Sequence, residues 1–476
     1  MQTPRPAVLP AALFVLLAAC SSDGPPPDDS TVATTGTPDA GAAAAYAPGT
    51  GPTPTLPAPA KQLVPTVQIA PAVGWSSGGK PIAAAGMKVT PFAHGLDHPR
   101  TLLALPNGDI LVAETNAPPK EAKGLKDMAM AAVMKRAGAG VPSANRISLL
   151  RDADGDGVAE LRTAFLEGLS SPFGMALVGD TLYVANADAV VKVAYTAGAT
   201  RIDSAPVKVA DLPGGPINHH WTKAMVASAD GTRLYVGVGS NSNVAERGMA
   251  AEANRATVLE IDPVSGTRRL YASGLRNPTA LAWNGGRLWA VVNERDELGD
   301  DLVPDYLTSV REGGFYGWPY SYWGTHVDAR VQPAAPASVV ARAIVPDYGL
   351  GSHVAPLGLA FHEAGATSLL PERLRGGAFI GLHGSWNRKP TTGYTVVFVP
   401  FSGGKPSGPM QDVLGGFVDA NGDAQGRPVG VAFDARGGLL VADDVGNTVW
   451  RVTAVADAAA AVPTAATRPA GAASVP

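Results

Sequence analysis

The sequence predicts an all-β fold, a six-bladed β-propeller with a helical insertion in an early blade and disordered N- and C-terminal segments. Three observations predict it. One hairpin pattern recurs six times along the chain. Glycine (56) and proline (42) are abundant, which suits many turns between short strands. Hydrophobic residues make 46% of 476 residues and charged residues 16%, enough for a large core.

The chain opens with Arg5, then an apolar stretch from Ala7 to Leu17 that is too short to span a bilayer. Leu17-Ala18-Ala19-Cys20 follows and resembles a bacterial lipobox. Residues 1–19 therefore read as a lipoprotein signal peptide, with Cys20 lipidated as the mature N-terminus. The alternative is an ordinary signal peptide with an incidental cysteine. Ser21 and Ser22, with no aspartate directly next to Cys20, point to outer-membrane sorting. The expected location is the bacterial cell envelope, facing the periplasm, with the membrane reached through the lipid alone. Residues 20–61 hold Pro, Gly, Ala and Thr with few large apolar side chains, and read as a flexible tether. Residues 62–456 form the propeller, and the Ala/Pro-rich stretch 457–476 reads as a disordered tail.

Each repeat is a polar or proline-containing loop, an apolar strand, a turn and a second apolar strand. Gly95-Leu96-Asp97-His98-Pro99 leads to Ile110-Leu111-Val112. Ser170-Ser171-Pro172 leads to Leu182-Tyr183-Val184. Asn218-His219-His220-Trp221 leads to Leu234-Tyr235-Val236. Gly274-Leu275-Arg276-Asn277-Pro278 leads to Leu288-Trp289-Ala290. His353-Val354-Ala355-Pro356 leads to Ala378-Phe379-Ile380. Gly426-Arg427-Pro428 leads to Leu439-Leu440-Val441. A lone hairpin leaves an apolar face in water, so the copies must stack, and radial closure achieves this. A pair of packed sheets is the alternative, and six copies of one hairpin argue against it. The stretch Leu125 to Arg136 is rich in Lys, Met and Ala and predicts the inserted helix.

Several function classes drop out. A net charge of −4 without basic clusters argues against nucleic acid as a partner. Cys20 is the one cysteine, so an internal disulfide, a Cys-x-x-Cys zinc site and an attached c-type haem are excluded. No Gly-x-Gly-x-x-Gly follows a strand, so a nicotinamide cofactor has no support.

In a propeller the loops that enter the innermost strands meet at one mouth of the central channel. Asp97, His98, His219, His220, Arg276, Asn277, His353 and Arg427 then converge on one site. A neutral imidazole there is a natural general base; the other reading of a loop histidine is a structural or surface residue. Arg276 offers a planar fork for a carboxylate or developing oxyanion, or alternatively a salt bridge between blades.

His220, a strand that ends near Asp230-Gly231, Gly274-Leu275-Arg276-Asn277-Pro278 and Gly313-Gly314-Phe315-Tyr316-Gly317-Trp318-Pro319 come in an order that resembles the soluble pyrroloquinoline-quinone sugar dehydrogenases, sorbosone-dehydrogenase-like branch. The resemblance covers about residues 90–455. It implies that His220 is the catalytic base and that Arg276 lies by the reacting quinone carbonyl. It implies cofactor contacts from Asn277, Arg427 and Arg388. It implies a calcium ion held by backbone carbonyls near Arg295 and Asp296. The cofactors are then pyrroloquinoline quinone and Ca2+, the substrate a sugar or sugar-derived aldehyde, and the electron acceptor a separate molecule. The sequence departs from the family where a cofactor-contacting glutamine falls near Leu169 and an acidic partner of the base falls at His219. Asp97 or Asp300 is a candidate substitute for that acid.

Asp152-Ala153-Asp154-Gly155-Asp156-Gly157 alternates carboxylates with turn glycines, as a calcium loop does, or is a solvated turn. Thr163 stands where such a loop places a closing glutamate, and Glu160 comes earlier. Two other functions share this fold: a calcium-dependent lactonase-type hydrolase and a non-catalytic carbohydrate-binding propeller.

Overall fold

The computed structural model describes residues 46–60, 66–119, 124–363 and 365–455. Cys20, the signal peptide and the 457–476 tail lie outside the described residues. Among those described, the strands form six antiparallel blades around one axis. Blade one runs outward as Pro99–Ala104, Ile110–Glu114, Arg146–Arg151 and Leu161–Leu166. The innermost strands of blades two to six are Gly174–Val178, Met225–Ala227, Pro278–Asn284, Pro356–His362 and Pro428–Phe433.

The second strand of each blade is an unbroken apolar run because both its faces are covered. Leu111 and Ala113 pack against Met175, Leu182 and Val184 of blade two. Ile110 and Val112, one residue out of step, pack against Leu440, Ala442 and Val449 of blade six. The two-residue strand period thus divides one sequence between two neighbours. Near the axis the blades approach so closely that a Cβ on Gly358 or Gly430 would overlap the carbonyl of Val429 or Arg100.

Four innermost strands begin with proline, and each carries a register shift directly after it. Proline has no N–H to leave unpaired at a strand start, and the bulge turns the preceding loop toward the channel mouth. The inserted helix forms over Leu125–Arg136, as its composition predicts.

The ring closes in blade six, where Met87–His94 pairs with Thr448–Ala454 from the other end of the domain. The chain before it is more ordered than the sequence suggests. The expectation of a flexible tether as far as residue 61 is corrected: Thr50–Gly51 forms a fifth strand on the outer edge of blade four, against Leu350 and Gly349. Ile82–Ala83 adds a strand to the edge of blade five. Between these edges, residues 60 and 66–75 touch the loops of blades four to six. Ala60 N–H donates to the Leu298 carbonyl (2.9 Å), Gln68 N–H to the Trp386 carbonyl (2.9 Å) and the Trp75 indole to Asp443 (2.7 Å). Ala70 is buried in the core between blades five and six.

Candidate active site

The loop of blade three brings His220 next to the loop of blade four through a shared strand end. Ser240 N–H donates to the Arg276 carbonyl (2.8 Å), and the His220 N–H donates to the Ser240 carbonyl (3.3 Å). Gly239 permits this closeness, because a Cβ there would overlap both the Asn277 amide oxygen and the His220 Cβ.

His220 Nδ1 lies 2.8 Å from the Ser240 carbonyl and 3.1 Å from Ser240 Oγ, and that hydroxyl donates to the Ser242 carbonyl at 2.6 Å. A carbonyl only accepts, so Nδ1 carries the proton and Nε2 carries the lone pair. The His219 ring stands edge to face on His220, with centroids 4.7 Å apart. Burial, the Arg276 charge and His219 hold the His220 pKa well below the ordinary histidine value. Neither Asp97 nor Asp300 takes the family's acidic place. Asp97 pairs with Arg146 at 2.6 Å on the rim, and Asp300 accepts from Thr66 at 2.8 Å.

Arg276 is buried and held at every nitrogen. Nε donates to the Asn243 carbonyl (3.2 Å), Nη1 to the Glu294 carbonyl (2.6 Å), and Nη2 to Asn243 Oδ1 and Asp296 Oδ2 (both 3.1 Å). The other Asp296 oxygen accepts from Asn387 Nδ2 (2.7 Å) and lies 3.5 Å from His353 Nδ1. Burial pushes the Asp296 carboxyl upward, but Arg276 and His353 outweigh it and hold it well below the usual range. His353 is the reciprocal case: burial lowers it, and Asp296 raises it above its ordinary value. Asn277 is buried beside Arg276, with its Oδ1 unpartnered.

A second cluster sits across blades five, six and one. The Asp444 carboxylate accepts from Arg100 Nη1 (2.6 Å) and meets His383 Nε2 (2.9 Å) and His98 Nε2 (3.5 Å). Burial lowers His98 to about 4, with Asp444 opposing. His383 is also lowered by burial. Arg427 lies alongside, its guanidinium 5.2 Å over the Tyr394 ring, one Nη donating to the Ala70 carbonyl (3.1 Å) and its Nε unpartnered. The two clusters join through the loops of blade five, because His383 and Gly384 N–H donate to the Ala355 and Val354 carbonyls (3.0 Å each).

His220, Arg276, Asn277 and His353 thus gather in the first cluster, and His98 and Arg427 in the second. With Asp97, four candidates take other positions. Arg388 reaches the rim and pairs with Asp301 at 2.7 Å, while its Nε donates to the Asp300 carbonyl. Arg295 points into the core, fully buried, between Glu294 (2.9 Å) and Asp328 (3.1 Å) and over the Tyr322 ring. The Asp296 carbonyl, expected to face calcium, accepts from Arg330 Nη1 (2.9 Å) and Asn243 Nδ2 (3.1 Å). What Asp296 brings to the cluster is its carboxylate. The residues missed in the sequence are Ser240, Asn243, His383, Arg100 and Asp444. The signal for His383 and Asn387 was the polar run His383-Gly384-Ser385-Trp386-Asn387, a loop that ends a strand at the same mouth.

Away from the mouth, Asp152, Asp154, Asp156 and Glu160 gather carboxylate oxygens within 4.8 Å of one another in an exposed loop of blade one. Glu160, not Thr163, is the fourth member; Thr163 Oγ1 donates instead to the Thr200 carbonyl (2.7 Å).

Two family models match parts of the chain: one described as TrAA12-like over residues 336–455, and a Domain of unknown function (DUF7133) over residues 105–312. A pyrroloquinoline quinone-dependent pyranose dehydrogenase of Coprinopsis cinerea is 26% identical over 303 residues, covering 49% of this chain and 39% of that protein. An uncharacterized protein of Borreliella burgdorferi is 27% identical over 245 residues, covering 51% of this chain and 62% of that protein. The chain therefore spans less than two thirds of either relative. The solved quinone-binding domain of the Coprinopsis enzyme superposes with a TM-score of 0.61 at 20% identity, covering 79% of this chain and 97% of that one. A Trichoderma reesei carbohydrate-active enzyme of family AA12, solved with calcium, gives 0.62 at 20% identity, covering 82% and 99%. The chain is similar to the soluble quinoprotein sugar dehydrogenases and shares their fold.

Proposed function

We propose that the protein is a quinone-dependent oxidoreductase that oxidises a sugar or sugar-derived aldehyde, with His220 as general base. The observation that carries this reading is the imidazole fixed by the Ser240 carbonyl, with its lone pair on Nε2, beside the buried Arg276–Asn277 pair. The similarity to pyranose dehydrogenases supports the substrate class.

The residues fit a tricarboxylic quinone at Asn277 and Arg427. Both keep a buried polar atom without a protein partner, which is destabilising unless a ligand or water pairs it. Calcium fits less well on the backbone. The carbonyls of Glu294 and Asp296 already accept guanidinium N–H groups, and both oxygens of the Asp296 carboxylate are engaged as well, by Arg276 and Asn387. When bound, the quinone would supply the hydride acceptor and calcium would polarise it.

The chain supplies position and proton transfer. His220 Nε2 takes the proton of the substrate hydroxyl, and the Ser240 carbonyl steadies the imidazolium through Nδ1–H. Arg276 adds a fixed positive charge beside the reacting centre, anchored by Asn243 and Asp296. Arg427 attracts a carboxylate, while Tyr394 and the Ala70 carbonyl fix its plane.

The test is reconstitution of purified protein with quinone and calcium, followed by dye reduction against a panel of sugars and aldehydes. Reduction that persists in His220→Ala at the wild-type rate overturns the assignment of the base. One observation favours a purely binding propeller: every nitrogen of Arg276 already has a protein acceptor. Quinone binding without dye reduction would establish that reading.

We further propose that the loop carrying Asp152, Asp154 and Asp156, with Glu160, takes a structural calcium ion, that Cys20 is lipidated, and that electrons leave to a separate acceptor in the cell envelope.

A further inference from the structure

Of the eight tryptophans, Trp386 is the exposed one, at 38%. It stands at the channel mouth on a narrow cleft lined by Thr66, Asp296, Glu297, Asp300, Trp386 and Asn387, with about 300 Å³ of free space counting its open side. This loop is rigidly seated. The Trp386 carbonyl accepts from Gln68 N–H (2.9 Å). On one flank Ser385 N–H donates to the Thr392 carbonyl (2.9 Å), and the Tyr394 hydroxyl donates to the Ser385 carbonyl (2.7 Å). On the other flank Asn387 Nδ2 holds Asp296 (2.7 Å) and Arg388 Nε holds the Asp300 carbonyl (3.0 Å). An indole on so fixed a backbone forgoes burial that folding would otherwise reward.

We propose that Trp386 is the stacking platform for a neutral saccharide ring, with Asn387 and Glu297 receiving its hydroxyl groups; the proposal deepens the dehydrogenase reading and rests on it only for the fate of that ring. The C–H face of a pyranose is flat and apolar, and its hydroxyl groups radiate from the edge. The cleft matches this with an exposed aromatic ring beside carboxylates and an amide. The cluster of carboxylates disfavours an anionic sugar, because the arginines beside them are already paired, Arg276 with Asp296, Arg330 with Asp328 and Arg388 with Asp301. The cleft is too shallow to enclose a ring, so the contact is one of stacking rather than burial. Asn387 ties the platform to Asp296, and Asp296 to Arg276, so a ring on Trp386 lies next to the reacting centre.

The test uses protein free of quinone and calcium, titrated with glucose, maltose, cellobiose and, as the anionic control, gluconate. Tryptophan fluorescence and calorimetry report binding. Saturable binding of the neutral sugars is expected, with none for gluconate. Trp386→Ala should weaken it about tenfold and Trp386→Phe less, with thermal midpoints unchanged. In loaded enzyme Trp386→Ala should raise KM about tenfold and leave kcat within about twofold. Equal affinity in Trp386→Ala and wild type, or no sugar binding at any concentration, overturns the proposal. Sugar binding through Trp386 without quinone reduction would sustain it while the redox reading fails. Quinone reduction indifferent to Trp386 would do the reverse.

Discussion

Ser240 decides which nitrogen of His220 works. A carboxylate against Nδ1 would raise the imidazole pKa, whereas the carbonyl found there orients the ring without adding charge. A general base must be neutral, so the rate falls as pH falls through its pKa. With that pKa below the ordinary histidine value, the acid limb of kcat/KM is expected well below pH 6.5. Ser240→Asp should move the limb upward by about one pH unit, while Ser240→Ala, which keeps the carbonyl, should leave it in place. Imidazole NMR in quinone-free protein checks the same shift without turnover. His220→Ala should lower kcat by about two to four orders of magnitude in the dye assay with no loss of quinone affinity.

At the scale of elements, the hairpins were legible because their apolar residues follow a period, and the inserted helix because Lys, Met and Ala favour a helix whatever their order. Ile110 to Ala113 and Leu439 to Ala442 announce strands, and the prolines at 99, 278, 356 and 428 announce the loops before them. The edge strand Thr50–Gly51 was not legible. It pairs through backbone groups, which every sequence possesses, and its Gly/Pro/Thr composition has no period. The site was half legible for a related reason. Loop position identified His220, Arg276 and Arg427. Whether a residue acts through its side chain or its carbonyl depends on partners far away in sequence, as Asp296 and Arg295 illustrate. The edge strand also makes a prediction. A Cβ at Gly349 would press on the Gly49 carbonyl and on Pro54. Gly349→Val should therefore lift residues 46–60 from blade four at a cost of about 1–2 kcal/mol. Limited proteolysis should then cut that stretch about tenfold faster, and the bared edge should promote self-association visible in light scattering.

At the scale of the whole molecule, the ring is fastened where blades five, six and one meet at Asp444. His98, lowered by burial to about 4, stays neutral in the folded protein over a range where the unfolded chain, titrating near 6.5, takes up a proton. Folding stability is therefore lost as pH falls from about 6.5 to about 4, by about 3 kcal/mol for this group. His98→Asn removes the titration and suits the left-handed backbone at this position, φ 53°. Thermal midpoints measured between pH 7 and pH 4 should fall less steeply in this variant than in wild type. Equal slopes would mean that other groups set the acid sensitivity.

The strand that seals the ring, Met87–His94, leaves the ribosome long before its partner, Thr448–Ala454. Until the last blade is made, that early strand has nowhere to go, and the innermost contacts between blades one and six are missing. The final topology is therefore reached after synthesis rather than during it. A chain that must wait in this way leaves the apolar flanks of blades one and six uncovered until its last strand has been made.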